Sequence, residues 1–318
     1  MAAIWNKSKI MKKRILIIFL LISFLCCGCF EEEPVQKIDL SKREAVYVKE
    51  VENAITYAYL PQYSHTVSYQ RHYLLIEYLK KETGLNIKQV FPDTFDEHIR
   101  MVEQGKIDIS FSNPFVYVKI AHLCGASAFA QIVEIYGKEN FRGQIICRAD
   151  NKKINGLEDC KGKRWIAVDP SSAGGYLYPL GYFYSHGISE KDFAEIAFSP
   201  GPGGKQEKVV LAVYAGKYDI GSIREGTLNV VANKIDPSQI RVIAQTRWYP
   251  GWVYAFRKGL DPEIVHKIED ALFRLDYDNP EHRKILDMAD ITGVVSSEDS
   301  EFNTVRELLA KLRIDLER

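Results

Sequence analysis

The stretch Asp169-Pro170-Ser171-Ser172-Ala173-Gly174-Gly175 holds the residues of this chain best suited to chemistry. It follows a short apolar run, Trp165 to Val168, and opens an aromatic segment, Gly175 to Ser185, that reads as a helix. A strand that ends in small hydroxyl residues and opens a helix exposes free backbone N–H groups and the positive end of the helix dipole. That combination is a ready site for an anion. Ser171 and Ser172 add hydroxyl donors, and the glycines let the backbone approach a ligand closely. The alternative is an ordinary strand-to-helix turn with a serine cap. Arg224, after the run Tyr218 to Ile223, offers a planar fork to an oxyanion or else forms a surface salt bridge. Gln206 offers an amide hydrogen or else marks a solvated helix start. Asn113, before Pro114, orders its own loop.

Three catalytic patterns fall short. Gly201-Pro202-Gly203-Gly204-Lys205 has Ser199 where a phosphate loop needs its first glycine, and Gln206 where it needs a hydroxyl residue. Pro170-Ser171-Ser172-Ala173-Gly174 has Pro170 where a nucleophile elbow needs glycine, and no His–acid partner is evident. The seven histidines show no metal-ligand spacing. The sequence thus calls for no cofactor, no metal and no enzyme activity.

The front of the chain reads as targeting sequence. Lys7, Lys9, Lys12, Lys13 and Arg14 precede an apolar run, Ile15 to Leu25, that is short for a membrane span. Met11 is an alternative start. The run ends in Leu25-Cys26-Cys27-Gly28-Cys29, which resembles a bacterial lipoprotein box with Cys29 as the lipidated residue and Cys27 as the alternative. Residues 1–28 are then a signal peptide and 29–45, charged and aperiodic, a tether. Cleavage removes five basic residues and leaves 37 against 42 acidic ones, a net charge of −5. That balance does not suggest a nucleic-acid partner. Of the remaining cysteines, Cys147 reads as a buried small hydrophobe, while an exported location permits a Cys124–Cys160 bridge.

These residues need a scaffold that brings strand ends together. Strand runs at 55–60, 87–91, 107–111, 129–133 and 143–148 alternate with helical runs at 69–81, 95–104 and 114–123. The first helix places Tyr69, Tyr73, Ile76 and Leu79 on one face. The alternation repeats with strands at 165–168, 194–198, 218–223, 240–245 and 252–256 and a helix at 209–215. Helices at 262–275, 280–289 and 302–312 close the chain. Alternating β and α elements predict an α/β fold with parallel sheets covered by helices, which bind ligands at the carboxyl ends of their strands. Roughly 270 residues exceed one ordinary core and predict two lobes.

Four segments, GKIDISFSNPFVYVKI (105–120), GLEDCKGKRWIAVDPSSAGGYLYP (156–179), VLAVYAGKYDIGSI (210–223) and YPGWVYAFRKGL (249–260), resemble the phosphate/phosphite/phosphonate-binding substrate-binding proteins of ABC importers. The resemblance runs from about residue 54 to the C-terminus. It implies a type II periplasmic-binding-protein fold: two α/β lobes, 46–142 plus 247–318 and 143–246, joined by a hinge around an interlobe cleft. It implies that Ser171, Ser172, Ala173 and Gly174 hold an anion's oxygens, with Ala173 where the family has a hydroxyl residue. Phe95 and Phe141 match family tyrosines, and Gln206 matches a histidine. Acidic positions that hold a substrate amine match Glu225–Gly226 and Trp252, and the tryptophan argues against an aminophosphonate. Phe95, Phe141, Tyr176, Trp248 and Trp252 are the aromatics available to line the cleft. The implied partners are a small-molecule ligand, an ABC permease and the membrane through a lipid anchor on its extracytoplasmic face, with the protein a monomer. A sensor lipoprotein serving a membrane receptor, or a binder of another aromatic or cationic molecule, is the alternative.

Overall fold

The computed structural model describes residues 54–317. The signal peptide, Cys27, Cys29 and the tether lie outside the described residues. No helix among the described residues is long and apolar enough to cross a membrane.

The first half of the chain runs β1 (Ile55–Tyr59), α1 (His65–Thr83), β2 (Ile87–Gln89), α2 (Phe95–Glu103), β3 (Ile109–Ser112), α3 (Pro114–Cys124) and β4 (Ser127–Glu134). The helices begin where the sequence supplies a cap: the side chains of Ser64, Thr94 and Asn113 accept hydrogen bonds from the first-turn amides of α1, α2 and α3. Gly84 ends α1 at φ 68°, a left-handed position that suits glycine.

A short strand, β5 (Asn140–Phe141), leads into β6 (Gly143–Arg148) and β7 (Arg164–Ala167). A π-helical turn, Ala173–Leu177, then opens α4 (Tyr178–Ser185). Next come β8 (Glu195–Phe198), α5 (Lys205–Tyr214), β9 (Ile220–Arg224), α6 (Thr227–Val231) and β10 (Ile240–Gln245). The chain returns through β11 (Tyr249–Pro250) and ends with β12 (Val253–Phe256), α7 (Pro262–Phe273), α8 (Pro280–Ala289), β13 (Ile291–Ser296) and α9 (Asn303–Leu312).

The strands form two main sheets and a small ribbon. One sheet has the order β13-β4-β12-β3-β1-β2, the other β10-β6-β9-β7-β8, and β5 pairs with β11 in antiparallel register, Tyr249 opposite Phe141. The expected parallel sheets are in fact mixed. β1 runs parallel to β2 and β3, and β7 to β8 and β9, but β12 and β6 run antiparallel to their neighbours. Both antiparallel strands enter their sheets directly from the ribbon, without the crossover helix that parallel pairing needs.

Other expectations are corrected. Tyr69 and Tyr73 are each 44% exposed; the buried residues of α1 are Ser68, His72, Leu75, Ile76, Tyr78 and Leu79. The two tyrosine rings lie 5.5 Å apart, tilted by 38°, one helical position away from the buried face. α5 starts at Lys205 rather than 209, because Gly204 at φ 60° turns the chain into the helix. β13 and α6 are additional to the elements read from the sequence. Cys124, Cys147 and Cys160 are all free thiols, the latter two packed in one apolar cluster.

Two histidines are built into the first core. His98 Nε2 meets Ser110 Oγ at 2.7 Å, and His72 Nδ1 meets the Tyr57 hydroxyl at 2.8 Å while its ring stacks on Tyr59 at 4.8 Å. Burial pushes both imidazoles down to about 3, so they stay neutral in the folded state. The unfolded chain binds a proton on each below the ordinary value of 6.5, whereas the folded chain does not. Stability contributed by these groups is therefore whole above pH 6.5 and declines as pH falls from there toward 3. Urea unfolding at pH 7 and at pH 5 is expected to show a fall that approaches about 1.4 kcal/mol per pH unit for each histidine. His98→Phe is expected to remove about half of that slope; an unchanged slope would count against a neutral buried His98.

Candidate functional site

The turn after β7 is built by its own first residue. Asp169 Oδ1 accepts the Ser171 amide at 2.9 Å, and the Asp169 carbonyl accepts the Ser172 amide at 2.9 Å. Ser172 Oγ accepts the Gly175 amide at 3.1 Å and caps the π-turn. Three of the amides expected to face a ligand are thus engaged. Those of Ala173 and Gly174 are the first two of the π-turn and stand ahead of any helical acceptor. Gly174 has no room for a side chain: a Cβ there would stand 2.8 Å from Phe141 Cε2 and 3.0 Å from Arg224 Cβ. Lys205 Nζ donates to Asp169 Oδ2 at 2.9 Å, with both side chains about nine-tenths buried. Burial raises the Asp169 carboxyl above its ordinary value, and Lys205 pulls in the other direction.

Polar contacts cross from the first sheet's segments to the second's around this turn. Asn113 Nδ2 donates to the Ser171 carbonyl at 3.3 Å, and Lys119 Nζ to Ser171 Oγ at 3.2 Å. The Gln206 amide donates to the Gln62 carbonyl at 3.1 Å. Arg224 Nη2 donates to both oxygens of Glu134, at 2.6 and 2.8 Å. Of these residues, Gln62, Glu134 and Arg224 also wall a cavity of about 30 Å³, room for one or two water-sized groups, together with Tyr59, His72 and Trp252 among others. Tyr59, Glu134 and Arg224 end β1, β4 and β9, so the cavity lies at the carboxyl ends of strands from both sheets.

Of the residues singled out in the sequence, Arg224 and Trp252 wall the cavity. Phe141 lies beside it, its ring centroid 5.4 Å from Arg224 Cζ. Arg224 ends β9 rather than following it, and its pair is buried rather than on the surface. Burial works against its charge, but the carboxylate of Glu134, with Tyr63 and Asp290 beyond, outweighs burial and holds its pKa above the ordinary value. Gln206 is no solvated helix start. It is buried, and its Oε1 accepts the Arg224 amide at 3.0 Å. Ser171 to Gly174 are buried at the seam. Phe95 is buried in the first core. Tyr176 packs on Trp165 in the second core, and Trp248 lies under Lys138 and Arg142. Glu225 is taken by Arg142 at 2.7 Å.

Gln62, Tyr63, Arg71, His72, Glu134 and Asp290 complete the cavity wall and were not singled out. A signal existed for the first two: Leu60-Pro61-Gln62-Tyr63 leaves the carboxyl end of β1 as the serine turn leaves β7. Among the described residues, no cluster has metal-ligand character.

A family model described as "ABC transporter, phosphonate, periplasmic substrate-binding protein" matches residues 57–302. The chain belongs to this family. The phosphate-import protein PhnD of Mycolicibacterium smegmatis is 29% identical over 205 residues, 61% of this chain and 63% of that protein. The match therefore spans less than two thirds of the relative's length. A binding protein component of an ABC phosphonate transporter from Pseudomonas aeruginosa superposes with TM-score 0.73 at 22% identity, over 82% of this chain and 86% of that one. PhnD1 of Prochlorococcus marinus, solved in complex with methylphosphonate, gives TM-score 0.73 at 18% identity, over 82% and 98%. At these identities the two structures establish the two-lobed α/β binding-protein fold.

Lys205 tests the construction of the turn. Lys205→Met leaves the Asp169 carboxylate buried and unpaired, and is expected to lower unfolding stability by about 3–5 kcal/mol in urea titration. A loss below about 1 kcal/mol, the range of exposed ion pairs, would contradict a buried, structural pair.

Proposed function

We propose that this protein is an extracytoplasmic solute-binding protein that captures a small phosphorus oxyanion between two lobes for an ABC importer, and that it does so without catalysis. The lobes are 46–142 plus 247–318 and 143–246, with the β5–β11 ribbon as hinge. Lipidation at Cys29 tethers a monomer to the membrane, and closure forms the surface that the permease reads. Membership of the phosphonate-binding family supports the reading.

One observation carries it: donors converge at the seam between the halves. Lys119 and Asn113 from one half meet Ser171 of the other. The Ala173 and Gly174 amides head the π-turn beside them. Arg224 Nε and Trp252 Nε1 are buried donors with no acceptor in the protein, and both residues wall the cavity. An oxyanion offers only acceptors at its charged oxygens and completes such a set. Ser171, Ser172, Ala173, Gly174, Arg224 and Trp252 are the proposed contacts, with Phe141 behind them. Phe95 and Gln206 serve as support.

A thermal-shift series with phosphate, phosphite and methylphosphonate tests this. At least one is expected to raise the melting temperature, since ligand at a hundredfold over Kd adds about 2.7 kcal/mol. Gly174→Val is expected to weaken that ligand by at least about tenfold. No shift with any of the three, or full affinity in Gly174→Val, would discard the site.

A further inference from the structure

Aromatic faces beside a carboxylate normally receive a ligand's ammonium or guanidinium group. The cavity has both components. Trp252 and two carboxylates, Glu134 and Asp290, are on its wall, and Phe141 is close behind. Yet each carboxylate is already matched by an arginine of this chain. Arg71 Nη2 meets Asp290 Oδ2 at 2.9 Å while its guanidinium lies 4.7 Å from the centre of the Tyr63 ring. Arg224 holds both oxygens of Glu134, with Cζ 5.4 Å from the Phe141 centroid and 5.7 Å from that of Trp252. The protein's own cation fills the box.

We propose that Arg224 determines which class of ligand the site takes: by occupying the box of Glu134, Phe141 and Trp252, it admits a compact phosphorus oxyanion and refuses one that also carries an ammonium group. This rests on the oxyanion-capture reading above. Two physical points carry it. An ammonium seated on Glu134 would have to displace a guanidinium that is itself buried, leaving an unpaired charge without water. The unpartnered donors Arg224 Nε and Trp252 Nε1 complement an acceptor, and the unpartnered acceptor on the wall, Gln62 Oε1, is a neutral amide oxygen rather than a carboxylate that would hold an ammonium.

The experiment is calorimetric titration of methylphosphonate and 2-aminoethylphosphonate into the wild-type protein, Arg224→Ala, Glu134→Gln and the double variant Arg224→Ala/Glu134→Ala. The wild type is expected to prefer methylphosphonate by at least about tenfold. Arg224→Ala vacates the box and leaves Glu134 charged, so the preference is expected to move toward the amino compound by about tenfold or more. The double variant, with no carboxylate in the box, is expected to lose that gain. Glu134→Gln keeps the guanidinium and frees it from its partner, so methylphosphonate is expected to bind about threefold tighter with the amino compound still refused. If Arg224→Ala does not fold, Glu134→Gln decides alone, and a gain for the amino compound there overturns the proposal. An unmoved preference in folded Arg224→Ala overturns it too. Equal affinity of the wild type for both compounds overturns the proposal and leaves oxyanion capture intact; no binding of either compound by the wild type or any variant overturns the proposal as well, and oxyanion capture itself falls only if phosphate and phosphite also fail to bind.

Discussion

Arg224 and Glu134 are a pair of opposite charges with about a tenth of either side chain exposed, and the site depends on their being together. Removing either partner is costly, because a buried ion without its counter-charge is strongly destabilising. One ends β9 of the five-stranded sheet and the other ends β4 of the six-stranded sheet. Their contact therefore couples the chemistry of the cavity to the approach of the two halves. It also fixes the cavity's electrical character, since two guanidiniums and two carboxylates are matched with each other and the unpartnered groups left on the wall are Arg224 Nε, Trp252 Nε1 and the Gln62 amide oxygen.

The serine turn obeys the same constraint at its own scale. A helix N-terminus buried at a seam needs acceptors for its amides. Asp169 and Ser172 supply three, and Lys205 keeps the Asp169 charge tolerable. What stays open is narrow, two amides and the serine hydroxyls, which suits a small oxyanion held from several sides by neutral dipoles and by Lys119. Gly174 is part of that closeness, because Phe141 and Arg224 occupy the space a side chain would need.

Much of this was legible in the sequence wherever a local rule and the fold agree. The β–α alternation is a local signal and the structure keeps it, and Thr94, Asn113 and Gly84 bound their helices as their residue types favour. The position of the serine turn after a strand followed from one hydrophobic run and two hydroxyls. Long-range pairing was not legible. Nothing near Arg224 in sequence names Glu134 as its partner, 90 residues away. The mixed sheet direction depends on how the ribbon delivers β6 and β12, a matter of topology rather than composition. Tyr69 and Tyr73 misled because a histidine, His72, takes the core position on α1 that an apolar residue would have announced.

The proposed capture requires that ligand favour a closed form in which the contacts around Ser171 and Arg224 are made. The Gly203 amide donates to the Asp93 carbonyl at 3.3 Å, so the rims of the two halves meet there. Spin labels placed by Thr66→Cys and Pro202→Cys, near that meeting point, report the separation directly. A broad distance distribution without ligand that shortens and narrows on adding saturating methylphosphonate or phosphate is the expected result. A distribution that is the same with and without a ligand shown to bind would contradict closure around the anion.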